Sequence, residues 1–284
     1  MAVFAGSHRR PSGGTVVAKA PRTMRLPSLL LSSFVVASLS LGAAGCSLKL
    51  GDHTEGDNGT LSFSYDGPGC FFGCGLDRSA LQGSLVTVNA KGGDPNVTQT
   101  ARILESSIAR VSNQTPSCTC DSKSGNTSSS STVAPGEKCS GGATKSCSLS
   151  VDIETSDQGD AHLEVLGPSG AVIDRVTIHV RPAARLDVSV GQTAVKDETP
   201  VTARVGDTVA LETHAFDADG NEEIFTQHGI SHDYADKSIL EPANDDLFGS
   251  TNVEKMIAKQ PGDTSITVRA PGAERVVHFH VVTP

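Results

Sequence analysis

At 284 residues with a formal net charge of −9, the chain is long enough for two domains of ordinary size and too acidic to hold a nucleic-acid backbone by charge. Aromatic residues make up only 4% of it and tryptophan is absent, which argues against stacking platforms for bases or sugars.

The first element is MRLPSLLLSSFVVASLSLGAAGC, from Met24 to Cys46. A positive charge at Arg25, a short apolar run and a small-residue end describe a secretory signal, too short to anchor as a spanning helix. Residues 1–45 hold five basic residues (Arg9, Arg10, Lys19, Arg22, Arg25) and no acidic one, so the remainder carries −14 in place of −9. Residues 1–23 show no apolar periodicity; they read as a long n-region, or as sequence upstream of a start at Met24. Ala43-Ala44-Gly45-Cys46, with Leu41 just upstream, resembles the lipobox of bacterial lipoproteins, although Ala43 stands where that pattern most often has Leu. The resemblance implies cleavage before Cys46, acylation of its thiol and amine, and the lipid bilayer as a partner. Several acyl chains, each CH₂ contributing roughly 0.8 kcal/mol, make a durable anchor. Ser47 after the cysteine, by the enterobacterial sorting rule, implies the outer membrane.

Residues 46–60 are polar and contain glycine, as expected of a flexible tether. At 61–65, LSFSY alternates Leu61, Phe63 and Tyr65 with serines, the period of a half-buried strand. Short strand-like segments separated by Gly, Pro, Asp and Asn continue to the end, and no long amphipathic helix appears. The expected fold is all-β, with two tandem sandwiches over 61–182 and 183–284.

Two domains are expected because one pattern occurs twice. GDAHLEVLGPSGAVIDRVTIHV (159–180) resembles GDTSITVRAPGAERVVHFHV (262–281), and GSLVTVNAKGGD (83–94) resembles GDTVALETHAFDADG (206–220). RILESS (102–107) is aligned with SILEPA (238–243) on the same basis. Between the copies, Pro182 halts one strand, and Leu186, Val188 and Val190 begin the next. Residues 205–221 and 260–282 are similar to bacterial Ig-like domains of the group 2 type, most clearly in the second copy. That resemblance implies a Greek-key β-sandwich used as a spacer, stalk or adhesion module, with no catalysis and no cofactor, and with a protein or cell surface as partner.

Setting Cys46 aside leaves an even set: Cys70, Cys74, Cys118, Cys120, Cys139 and Cys147. In an exported chain these read as disulfides, among roughly 15 possible connectivities. Metal or redox chemistry is the competing reading, but three residues separate Cys70 from Cys74 and only one separates Cys118 from Cys120, neither a redox nor a zinc-knuckle spacing. The segment from Ser117 to Cys147 is rich in Ser, Gly and Thr, which cannot bury a core; the expectation is a surface loop pinned by disulfides.

Three further groups bear chemistry. Asp217, Asp219 and Glu222 in DADGNEE are weak calcium candidates, and a metal-binding ligand module is the alternative function. The calcium-loop register fails, since Gly220 comes fourth and His228 twelfth, so a strand-to-strand turn is the plainer reading. His278 and His280 share one strand face opposite Phe279, and His179 repeats the position; His228, His232 and Asp233 add possible ligands. Outward polar sheet positions explain them without a metal. No G-x-S-x-G elbow, phosphate-binding loop or dinucleotide fingerprint is present, and spacing nominates no catalytic residue.

Overall fold

Alternating apolar residues put one face of most of the longer strands into a core. The computed structural model describes residues 52–67, 70, 73–124, 127–197, 199–243 and 252–284, all within the compact unit Leu48–Pro284. Cys46 and the signal segment lie outside the described residues.

The first half contributes β1 (Thr54–Glu55), β2 (Leu61–Asp66), β3 (Ala80–Leu81), β4 (Ser84–Gly92), β5 (Thr100–Ile103), β6 (Ala109–Ser124), β7 (Thr127–Val133), β8 (Thr144–Thr155), β9 (Gly159–Leu166) and β10 (Val172–Arg181). The second contributes β11 (Arg185–Val190), β12 (Thr193–Ala194), β13 (Val201–Arg204), β14 (Thr208–Phe216), β15 (Gln227–His228), β16 (Ser231–Tyr234), β17 (Leu240–Pro242), β18 (Val253–Ala258), β19 (Gly262–Ala270) and β20 (Ala273–Val282). The chain is thus an all-β protein of two tandem Ig-like sandwiches. In the first, a sheet ordered β1-β2-β4-β8-β6-β7 faces one ordered β3-β10-β9-β5; in the second, β12-β11-β14-β18-β17 faces β13-β20-β19-β16. The orders match strand for strand, except that β7 has no counterpart.

Each core follows from the period of two. On β4, Val86, Val88 and Ala90 are buried between exposed or half-buried neighbours, and they meet Leu149, Val151 and Ile153 of β8 and Leu163 and Val165 of β9. In the second sandwich Leu211, Met256, Ile266, Val277 and Phe279 do the same.

The structure corrects three expectations. Residues 54–60 are not tether. Thr54 and Glu55 pair with Phe63 and Ser62, and the turn that follows is captured by the buried carboxylate of Asp174. Its oxygens accept the backbone N–H groups of Asn58 and Thr60 at 2.8 Å, Leu61 at 2.7 Å and Arg175 at 2.9 Å. Burial alone would raise the Asp174 pKa, but these N–H donors together outweigh it and hold the carboxyl below its ordinary range. A Cβ on Gly56 would lie 2.3 Å from that carboxyl, so the turn admits no side chain there.

Second, the repeat in 102–107 is out of register. Ile103 pairs with Leu163 as Tyr234 pairs with Ile266, and Ala109 pairs with Thr155 as Leu240 pairs with Ala258. The true counterpart of Ile239 is therefore Ile108, five residues beyond the aligned Ile103; a shared Ile-Leu-Glu string misled the alignment. The packing agrees. Gly159 and Gly262 share φ 151°, and a Cβ on them would meet Ile108 at 2.6 Å and Ile239 at 2.9 Å respectively.

Third, the segment 117–147 is a ribbon of paired strands rather than a loop. Serine and threonine cannot fill a core, but their backbones can still complete a ladder beside strands that do.

Asp174→Ala should lower the unfolding free energy by about 3 kcal/mol, since it orphans several backbone donors at once. Asp174 has a depressed folded pKa, so its contribution is present above the ordinary carboxylate value and is lost as pH falls through the folded one. Urea titrations of wild type and variant should therefore converge as the pH drops below about 4.

Candidate functional site

Two regions carry the polar chemistry: the disulfide ribbon and the junction between the sandwiches. In the ribbon, β6 and β8 continue past the last pairing of β4 with β8, Lys91 with Ser148, as far as Asp121 with Thr144. Strand β7 then turns back along β6 from Ser124–Thr127 to Cys118–Val133. Cys118–Cys147 joins directly opposed residues of β6 and β8, and Cys120–Cys139 ties the return segment to β6. Cys70–Cys74 closes a short turn beside β2, whose Tyr65 bridges to Cys74. The six cysteines beyond Cys46 therefore all pair.

Where β4 ends, a groove of about 440 Å³ opens against the ribbon. Lys91, Lys145, Ser117, Thr119, Ser146 and Ser148 line it, and no carboxylate does. Lys145 Nζ donates to the Glu137 carbonyl at 2.7 Å, and the hydroxyls of Thr119 and Ser146 are 3.0 Å apart. The groove offers ammonium and hydroxyl donors but no general base, in a chain that is otherwise acidic.

At the junction, residues 222–228 of the second half run along the first. Ile224 is buried in the first core and Phe225 in the second. Strand β15 pairs with β4, Ala80 bridges to Ile224, and Thr226 donates both its backbone N–H and its hydroxyl to the Leu85 carbonyl at 2.7 and 2.9 Å. Polar groups close the seam. Arg78 Nη2 lies 2.7 Å from Glu222 Oε2, His214 Nδ1 2.5 Å from Glu222 Oε1, and Ser79 Oγ donates to Asp217 Oδ2 at 3.0 Å. The hydrogen bond to Glu222 raises the His214 pKa, and the same bond, with Arg78, lowers that of Glu222. Beside them Glu223 is buried, with both carboxylate oxygens unpartnered among the described residues; burial first, then the charge of Asp217, pushes it up to about 8.

Of the calcium candidates, Asp217 accepts the backbone N–H groups of Asp219 and Asn221 in a turn, Asp219 is exposed, and Glu222 is taken by Arg78 and His214. Among the described residues, no group of three His, Cys, Asp or Glu stands close enough to hold a metal ion. His179 and His280 face outward, each toward its own carboxylate, whereas His232 is turned inward, its Nε2 buried and without a hydrogen-bond partner among the described residues. His179 lies 2.9 Å from Asp160 and His280 2.6 Å from Asp263, at the same cross-strand position in the two sandwiches. His278 is exposed, His228 sits on β15, and Asp233 pairs with Arg269. The repeated Gly-Asp opening of β9 and β19 would have revealed the His–Asp pairs from sequence. Nothing in the sequence points to Arg78 or Glu223, which matter only through contacts across the junction.

No family model matches the chain. No curated protein matches it by sequence. Among solved structures, it is similar to domains 4–9 of the surface-layer protein SbsC, at 12% identity over 82% of this chain and 32% of that one, with a TM-score of 0.26. It is similar to the adhesin InvE of Yersinia pseudotuberculosis, at 14% identity over 80% of this chain and 61% of that one, TM-score 0.29. It is also similar to invasin, a bacterial integrin-binding protein, at 12% identity over 71% of this chain and 46% of that one, TM-score 0.28.

Two outcomes follow for these regions. Replacing Cys120 and Cys139 by serine opens a loop closed over 19 residues and should cost the ribbon about 3 kcal/mol. Hydrogen exchange should show β7 and the end of β6 losing protection while β4, β9 and β10 keep theirs. At the junction His214 and Glu223 are raised, so their shares of stability fall as pH rises, whereas the lowered Glu222 contributes above its ordinary 4.5. The share of His214 is complete below its ordinary 6.5 and is lost through its higher folded value; that of Glu223 is lost between 4.5 and about 8. Glu223→Gln should flatten this decline and melt several degrees above wild type at pH 8, with little difference near pH 4.

Proposed function

We propose that the protein is a non-catalytic lipoprotein of the bacterial cell envelope, in which a bilayer-held Cys46 presents two Ig-like sandwiches as a surface structural, adhesive or assembly module. The observation that carries this reading is the pairing of an export segment ending at Cys46 with six other cysteines that all close disulfides. Disulfides persist in oxidising compartments, and a seventh cysteine placed after small residues at the end of a signal has a separate use. The fused junction supports the structural part of the role, because a module that transmits position between a membrane and a partner benefits from domains that do not swivel freely. The partner is a protein or cell surface, and the outer membrane is the expected address.

Fractionation of cells making the wild type and Cys46→Ala tests it. Wild type should sediment with membranes and yield an acylated amino terminus at Cys46 by mass spectrometry, whereas the variant should move to the soluble envelope fraction. An unmodified terminus elsewhere, or identical distribution of the two, would overturn the reading.

A further inference from the structure

We infer that β7 is a self-association edge, pairing antiparallel with β7 of a second copy of this chain. A sheet edge presents unpaired backbone N–H and C=O groups, and proteins guard it by shortness, charge or proline. Among the described residues, every other outermost strand is guarded. The outermost strands β1, β3 and β12 have two residues each. Strands β5, β13, β16 and β17 have four or fewer, and carry Arg102, Arg204, Asp233, and Glu241 with Pro242. Strand β7 runs seven residues, Thr-Ser-Ser-Ser-Ser-Thr-Val, with neither charge nor proline.

That edge is open. Among the described residues β7 pairs only with β6, and Ser129, Ser130, Ser131 and Thr132 are exposed although successive side chains point to opposite faces. The segment returning from β7 to β8 has to cross β6, and it is tied down there by the Cys120–Cys139 disulfide and by Lys145 on Glu137. It is held on β6 and β8 rather than on β7.

The occupant follows from charge and symmetry. Net charge opposes contact between two copies of this acidic chain over most surfaces, but β7 brings no carboxylate to the seam. Thr127 to Thr132 also reads the same in both directions. Antiparallel pairing about a two-fold between Ser129 and Ser130 therefore sets Thr against Thr and Ser against Ser throughout, as an isologous interface requires. The result is one continuous sheet through both copies, with the edge removed. A contact this narrow buries less than a standard interface, so the association is weak and concentration-dependent.

Sedimentation equilibrium of the full chain in density-matched detergent tests it, with two surface variants. Ser129→Lys with Ser130→Lys sets lysines against each other across the two-fold, and Ser129→Glu with Ser130→Glu does the same with carboxylates. Wild type should show a monomer–dimer equilibrium, each variant alone should be monomeric, and an equal mixture of the two should regain the dimer. Thermal melts equal to wild type establish that the variants are folded. A monomeric wild type, lysine variants that dimerise as before, or a mixture that stays monomeric would each overturn the proposal.

Discussion

The period of two along an extended chain is the constraint on which this molecule turns. Successive side chains must point to opposite sides, so an extended segment running between two hydrophobic cores feeds both. Residues 224 and 225 do this: Ile224 enters the first core and its neighbour Phe225 the second. Burying each contributes roughly 2 kcal/mol. Once both are in place, the polar groups beside them have little freedom. Glu222 is set between Arg78 and His214, and Glu223, one position on, is forced inward with no partner. The unsatisfied carboxyl is the cost of a segment that has to serve two domains at once.

The duplication shows how one position can meet the same demand with opposite chemistry. Val165 faces Asp174 across β9 and β10 where Val268 faces Arg275 across β19 and β20. Both side chains secure the segment flanking the first long strand of their sandwich. Asp174 does so by accepting backbone N–H groups near β2. Arg275 donates to the carbonyls of Leu186 at 3.1 Å and Val195 at 2.6 Å around β11. A charge at this site, buried in Asp174 and half-buried in Arg275, is tolerated because backbone dipoles meet it, with Asp197 also pairing Arg275, and either sign works when the local backbone turns the matching end inward.

The parts of the fold legible from sequence were those written in alternation. The β-sandwich class, the second copy of the closing hairpin and the opposed faces of His278 and Phe279 all come from apolar residues at every second position. Three features escaped for definite reasons. Composition alone makes the ribbon look like a loop, because it reports core burial, whereas its strands are held by ladders and covalent links. Residues 54–60 were read as tether because nothing local announces that a carboxylate 116 residues from Asn58 will capture them. The alignment of 102–107 slipped because a chance tripeptide outweighed the glycine–isoleucine contact that fixes the register. In the candidate site, the cysteines were found by counting, and their partners required geometry. The role of Glu222 was missed because its partner Arg78 lies 144 residues away.

The ribbon finally explains where the disulfides sit. A sandwich core stabilises strands that cross it, and β6 and β8 need no further link while they lie alongside β4 in the same sheet. Beyond Lys91 and Ser148 that support ends, and a two-sided polar ribbon is marginal on its own. Both long-range disulfides lie beyond that point, at Cys118–Cys147 and Cys120–Cys139. They restrict the unfolded alternatives of the segment that has the least apolar surface to bury. Covalent closure there replaces hydrophobic burial, which frees β7 and the end of β6 to be polar, with β7 almost wholly serine and threonine.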